Sequence, residues 1–210
     1  MRFDTEFNDK QIEILLVAES LFAENGFEGT SIRTIAKEAK INIAMVSYYF
    51  GSKEKLLEAL VFYRTKELQF EIANLFLENV NPIEKIEKLV ALYINKINYN
   101  KGIYRIIHFE IAKEKSNLKM QVLDELRNKN LKVLTAIIKE GQEKGVFRKD
   151  IIIPLISPTI LGTFFHFHMN KPYFQNLLDL PSEEAFDTFI KTQLTQHIQQ
   201  IIKALLIHEN

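Results

Sequence analysis

Apolar residues recur along this chain at three- and four-residue steps from near its start to near its end, a period that predicts α-helices throughout. Over 9–25 the stripe is Ile14, Leu15, Ala18, Leu21 and Phe22, with Gly26 placed to supply a left-handed stop. Ile32, Ile35, Ala36 and Ala39 repeat the pattern in a second, short helix opened at Thr30-Ser31. Lys40 and Ile41 interrupt it, and Asn42 offers an N-cap for a third helix beginning at Ile43. Val46, Tyr49 and Phe50 give that helix an inner face. Its outer face carries Ala44, Met45, Ser47 and Tyr48, small and hydrogen-bonding groups that a buried helix would not need and a groove-docked helix could use. Two short helices joined by a tight turn, the second with such a face, predict a helix-turn-helix.

Ser52 can cap a fourth helix, with Glu54 in its first turn and Leu56, Leu57, Leu60, Leu68, Ile72, Leu75 and Phe76 carrying it towards Asn79, a rod of about 40 Å. Asn81-Pro82-Ile83-Glu84 then has cap, first-turn proline and third-position glutamate in capping-box order and opens a helix through about Tyr99. A sixth helix is predicted over 103–113, and a seventh from a Ser116 cap to Gly141. Residues 151–153 look strand-like, but Pro154 and Pro158 favour a late-starting helix, with Ser157 as cap, that reaches Met169. The stretch NKPYFQNLLDLP reads as a loop. Ser182 then starts a last helix whose Phe186, Ile190, Leu194, Ile198, Ile201 and Leu205, widened by Phe189, Ile202 and Leu206, form a stripe broad enough to meet both its own domain and a second subunit.

Composition narrows the chemistry. Among 210 residues, 27 basic side chains balance 27 acidic ones, so any attraction to polyanions must be local. The first segment is acidic, through Asp4, Glu6, Asp9, Glu13, Glu19, Glu24 and Glu28. Arg33, Lys37, Lys40, Lys53 and Lys55 cluster where the only acids are Glu38 and Glu54, the kind of face phosphates want. Cysteine is absent, which excludes disulfides, thiol catalysis and thiolate metal sites. The polar, acidic N-terminus and the lack of an apolar run of about 18 residues predict neither signal peptide nor membrane span, hence a cytoplasmic protein. His166 and His168, two apart, point to different faces of a helix and make no metal pair. Neither a Ser-His-Asp pattern nor a glycine-rich phosphate loop occurs, so no enzyme, metal or cofactor is expected. Aromatic and hydrogen-bonding groups do gather on the segments that would enclose a bundle interior: Tyr93, Tyr99, Tyr104, His108, Thr163, Phe164, Phe165, Phe167 and His168. Such a set suits either plain core or a pocket for a small molecule, with Tyr93, Tyr104, His108, Phe164 and His168 as the candidate ligand residues.

The run LLVAESLFAENGFEGTSIRTIAKEAKINIAMVSYYFGSKEKLLEAL resembles the N-terminal domain of the TetR family of transcriptional regulators. The likeness covers about a quarter of the chain and includes Leu21-Phe22, Gly26, Thr30-Ser31, Ile35-Ala36, Tyr49 to Glu54 and Leu56-Leu57. It implies an all-α protein with an N-terminal three-helix helix-turn-helix domain over 1–51, followed by a larger helical ligand-binding and dimerisation domain over 52–210. By the same resemblance Arg33, Ile43, Ala44, Ser47 and Tyr48 would face bases, and Thr30, Ser31, Met45, Tyr49 and Lys53 would lie near phosphates. The implied function is a homodimeric repressor that binds a near-palindromic double-stranded DNA operator and is released by a small apolar or aromatic effector. The alternative is an all-helical small-molecule carrier that keeps the motif as scaffolding. Three positions depart from the family pattern. Lys40 stands where a glycine is common, so either the backbone accepts a strain of roughly 1 kcal/mol or the turn differs. Ser47 replaces a usual tyrosine and Met45 a frequent threonine, which bears on base preference.

Overall fold

A computed structural model describes residues 6–111 and 121–207, and every described element is helical. By its internal contacts the chain forms two compact units, Met1–Glu67 with Asn100–Glu125, and Leu68–Tyr99 with Leu126–Asn210.

In the first unit α1 (Asp9–Gly29) opens with a reciprocal capping box. The Asn8 side chain accepts from the Gln11 N–H at 2.9 Å while the Gln11 side chain accepts from the Asn8 N–H at 3.0 Å. The helix is regular as far as Asn25. Gly26 then turns it with φ 73° and ψ 166°, which is not the left-handed helical stop expected but a region open essentially to glycine alone. Past this kink Phe27 packs its ring 5.3 Å from Phe22. α2 (Ile32–Glu38) and α3 (Ile43–Phe50) follow, and α4 (Lys53–Leu77) starts beside them. Ile14, Leu15, Ala18, Phe22, Ile35, Ala36, Val46, Phe50, Leu56, Leu57 and Leu60 are all buried, so one apolar centre fixes the angles between these helices.

α6 (Lys101–Ile111) belongs to the same unit and packs on α1. It begins two residues earlier than the predicted 103, with Gly102 in its first turn beside Glu19. That carboxylate accepts from Arg64 Nε at 2.8 Å and Nη2 at 2.5 Å, and Arg105 donates to the Ala23 carbonyl on α1. The predicted Ser116 cap lies outside the described residues.

The second unit takes the remainder of α4 from Leu68 and adds α5 (Pro82–Tyr99), where Asn81 caps Glu84 N–H at 2.9 Å and Pro82 occupies the first position, as predicted. Lys85 is buried on α5. Its ammonium donates to the Phe76 carbonyl at 3.0 Å, closing α4, and to Glu140 at 2.9 Å on α7 (Gln121–Glu143). Lys144 and Lys85 together hold the Glu140 carboxyl below the usual carboxylate range. α7 runs past its predicted end at Gly141, which is a packing glycine. A Cβ there would lie 2.0 Å from the Phe147 ring.

Ile153–Leu155 form a 3-10 turn leading into α8 (Ile156–Met169), so the predicted Ser157 cap is inside the helix and makes no cap bond. The predicted loop after Met169 contains a helix, α9 (Lys171–Leu177), with Pro172 in its first turn. Its Phe174 stacks on Phe167 at 4.5 Å, and Phe167 also meets Phe186 at 5.1 Å and Phe189 at 5.4 Å. The last helical region is α10 (Glu183–Phe189), a π turn over Ile190–Leu194, and α11 (Thr195–Leu206). Phe186, Ile190, Leu194, Ile198, Ile202 and Leu206 are buried along it, against α5 and α8.

Candidate nucleic-acid interface

The helix-turn-helix is held by bonds that leave one face open. Ser31 caps α2 by accepting the Thr34 N–H at 3.0 Å, and Asn42 caps α3 by accepting the Ala44 N–H at 2.8 Å. Between them Lys40 stands at φ 52°, with its N–H bonded to the Lys37 carbonyl and the Ile41 N–H to the Ala36 carbonyl. This is a Schellman turn with lysine in the position that glycine usually fills, so the backbone does adopt the strained conformation. Inside, Ile35, Ala36, Ala39, Val46 and Phe50 are buried. Outside, Arg33, Lys37, Lys40, Ala44 and Ser47 are exposed, Ile43 is 47% exposed and Tyr48 84%. The Tyr48 ring rests edge-on against Tyr49 at 5.3 Å. Met45 and Tyr49 are half-buried.

Two expected phosphate neighbours have other partners. Thr30 is 2% exposed, and its hydroxyl donates to the Gly26 and Leu21 carbonyls at 2.8 and 3.1 Å, so its side chain is turned inward. The Lys53 ammonium donates to the Phe27 and Thr30 carbonyls at 2.9 and 3.1 Å and lies 4.3 Å from the centre of the Phe27 ring. It clamps the segment entering α2, with two of its three donors committed. Ser31 stays exposed at the start of α2. Of the remaining basic cluster, Lys55 pairs with the buried Glu58 at 2.5 Å.

The candidate ligand residues fall in both units. Tyr93 and Phe164 are buried in the second, and His168 stacks flat on Phe164 with ring centres 5.8 Å apart. Tyr104 and His108 sit on α6 in the first. Burial pushes the Tyr104 phenol up to about 12, so it is a neutral donor across the biological range. His108 is exposed, on the outer side of α6, which removes it from any interior site.

Residues 14–60 match the family described as bacterial regulatory proteins, tetR family, and residues 82–202 match the tetracyclin repressor-like C-terminal domain. The chain belongs to the TetR family. TetR-family members are DNA-binding transcriptional regulators rather than enzymes. Among similar proteins, the HTH-type transcriptional repressor NicS of Pseudomonas putida is 31% identical over 82% of this chain and 82% of its own. The probable HTH-type transcriptional regulator YttP of Bacillus subtilis is 26% identical over 79% of this chain and 86% of its own. The fold is similar to that of the Bacillus subtilis transcriptional regulator FadR in complex with stearoyl-CoA, with a TM-score of 0.73 and 19% identity, covering 94% of this chain and 99% of that one. No described helix is long and apolar enough to cross a membrane.

One feature of this TetR-family chain escapes the sequence pattern. A groove of about 540 Å³ opens on the second unit, lined by Gly162, His166 and Phe167 of α8, Phe174 of α9, and Phe189, Gln193 and His197 further on. Reading 170–181 as a loop hid it, since Phe174 supplies part of the floor. Of the polar lining residues His166, Gln193 and His197, only His166 interrupts a largely apolar helix, whereas Gln193 and His197 sit among other polar residues and give no distinct signal.

Proposed function

We propose that this protein is a homodimeric repressor that reads a near-palindromic DNA operator with α3 and leaves it when a small apolar or aromatic molecule binds the helical C-terminal domain. The observation that carries the reading is the exposed face of α3, Ile43, Ala44, Ser47 and Tyr48, beside the exposed cations Arg33, Lys37 and Lys40. A helix kept only as scaffolding in a carrier has no use for a tyrosine held 84% in solvent. In this reading Ser31, Met45, Tyr49 and the third Lys53 donor lie near phosphates, and the functional division falls at 51/52. The protein works in the cytoplasm.

Dimerisation is assigned to the outer faces of α8 and α10–α11, where Leu205 is 44% exposed. Two-fold pairing sets two reading helices on successive major grooves about 34 Å apart. The effector is assigned to the interior near Tyr93, Phe164 and His168. The stearoyl-CoA bound by FadR supports a ligand with a large apolar part, and that compound belongs in the first screen.

Selection of genomic fragments with the purified full-length chain tests the whole reading. The expected result is a near-palindromic site for which Arg33→Ala costs about 1–3 kcal/mol and relaxes one base position. A compound that raises the melting temperature should also lower operator affinity roughly 5- to 150-fold at saturation, because only differential binding shifts the equilibrium. Recovery of no enriched fragment, with a ligand bound nonetheless, would favour the carrier.

A further inference from the structure

From the side chains that α3 holds open we infer that each operator half-site is A·T-rich under this helix and is read there through thymine methyl groups. The inference rests on the DNA-binding reading above. In the major groove a guanine is recognised by Arg or Lys, an adenine by the amide of Asn or Gln, a cytosine by Asp or Glu, and a thymine methyl by an apolar side chain. The eight residues of α3, IAMVSYYF, contain none of the first three kinds. The nearest amide, Asn42, lies before the helix, and its carbonyl oxygen already accepts the Ala44 N–H at 2.8 Å, which ties the amide to the helix start. What the helix does present is the Ile43 side chain at 47% exposure, the Ala44 methyl, and the hydroxyls of Ser47 and Tyr48.

Seating Ile43 and Ala44 against a G·C edge would strip water from guanine N7 and O6 and cytosine N4 with no partner in return, whereas an A·T edge also offers the thymine methyl, an apolar surface that needs none. Serine and tyrosine hydroxyls donate or accept and so add contacts without selecting a base pair strongly. Arg33, exposed on α2, supplies a guanidinium beside this face, so a guanine at the edge of the A·T block completes the half-site.

The test uses the full-length chain and a random-sequence duplex library, followed by replacement of each dT in the recovered site by dU, which removes only the methyl. Two or more positions per half-site should show weakening of about fourfold each, the effect of exposing one methyl-sized apolar group. With Ile43→Ala, which alters a half-exposed residue and leaves the core untouched, one of those positions should lose its sensitivity while the others keep it. Strong, selective binding with no dU-sensitive position, or half-sites dominated by G·C throughout, overturns the inference and leaves the DNA-binding reading standing. A library from which nothing is enriched overturns both.

Discussion

Gly26 carries a backbone demand specific to glycine, since φ 73° with ψ 166° is essentially closed to residues with a Cβ although open space surrounds it. Gly26→Ala should therefore cost about 1–3 kcal/mol in urea unfolding from conformation alone. Lys40 is the converse case, an L-residue at φ 52° with an exposed side chain. Lys40→Gly should raise stability by somewhat under 1 kcal/mol, the relieved strain being partly offset by the freer unfolded chain. An unchanged melting curve would mean the turn is not strained. At Lys53 stability and DNA binding meet. Lys53→Met strands the Phe27 and Thr30 carbonyls and should destabilise by about 1–3 kcal/mol, so its DNA affinity must be read well below its own melting temperature. These positions also show what one sequence reveals. The caps at Ser31, Asn42 and Asn81-Pro82 were legible because donor and acceptor lie within three residues of each other. The inward turn of Thr30 and the reach of Lys53 to Phe27 were not, because both depend on where α1 ends in space.

At the level of the element, the final helical region separates pattern from placement. An α-helix advances 100° per residue, so buried positions in steps of four drift by about 40° at each step. Phe186, Ile190, Leu194, Ile198, Ile202 and Leu206 nevertheless share one buried stripe, and the π turn at Ile190–Leu194 takes up part of that drift. Thr195 secures it, with its hydroxyl donating to the Ile190 carbonyl at 2.7 Å. Hydrophobic spacing predicted the helix but not the wider turn, and so it set Ile198 and Leu205 on one stripe without separating the side that faces the domain from the side that faces out. Ile198 is fully buried and Leu205 is 44% exposed. Ile198→Glu should accordingly unfold the second unit, at a cost of several kcal/mol for an unpaired buried charge. Leu205→Glu should leave circular dichroism unchanged and weaken self-association in sedimentation. If Leu205→Glu sediments like the parent, the two-fold contact lies elsewhere. α9 was misread for a related reason. Pro172 and Asn170 are turn formers locally, and the helix between them and Leu177 is held by Phe174 stacking on Phe167, a contact no local signal encodes.

For the whole molecule, charge decides how DNA is found and held. Basic and acidic side chains cancel at 27 each, so no net field steers the protein, and electrostatic affinity must come from one patch per copy. On that patch Lys37 and Lys40 are exposed and Lys53 keeps its third donor, whereas Arg33 is assigned to a base and Lys55 is engaged by Glu58. About three phosphates neutralised per copy, or about six per dimer, give a slope of log affinity against log salt near −5. Operator affinity should then fall roughly 10³-fold between about 50 and 200 mM salt. Lys37→Gln should flatten the slope by nearly two units, because a symmetric dimer loses two contacts at once. Lys55→Gln should hardly change it. A parental slope near −2 would mean that most of the patch stays in solvent when DNA is bound. A slope near −5 halved to about −2.5 by a dimer-splitting change at Leu205 would tie the two-fold assembly to the reading face in one measurement.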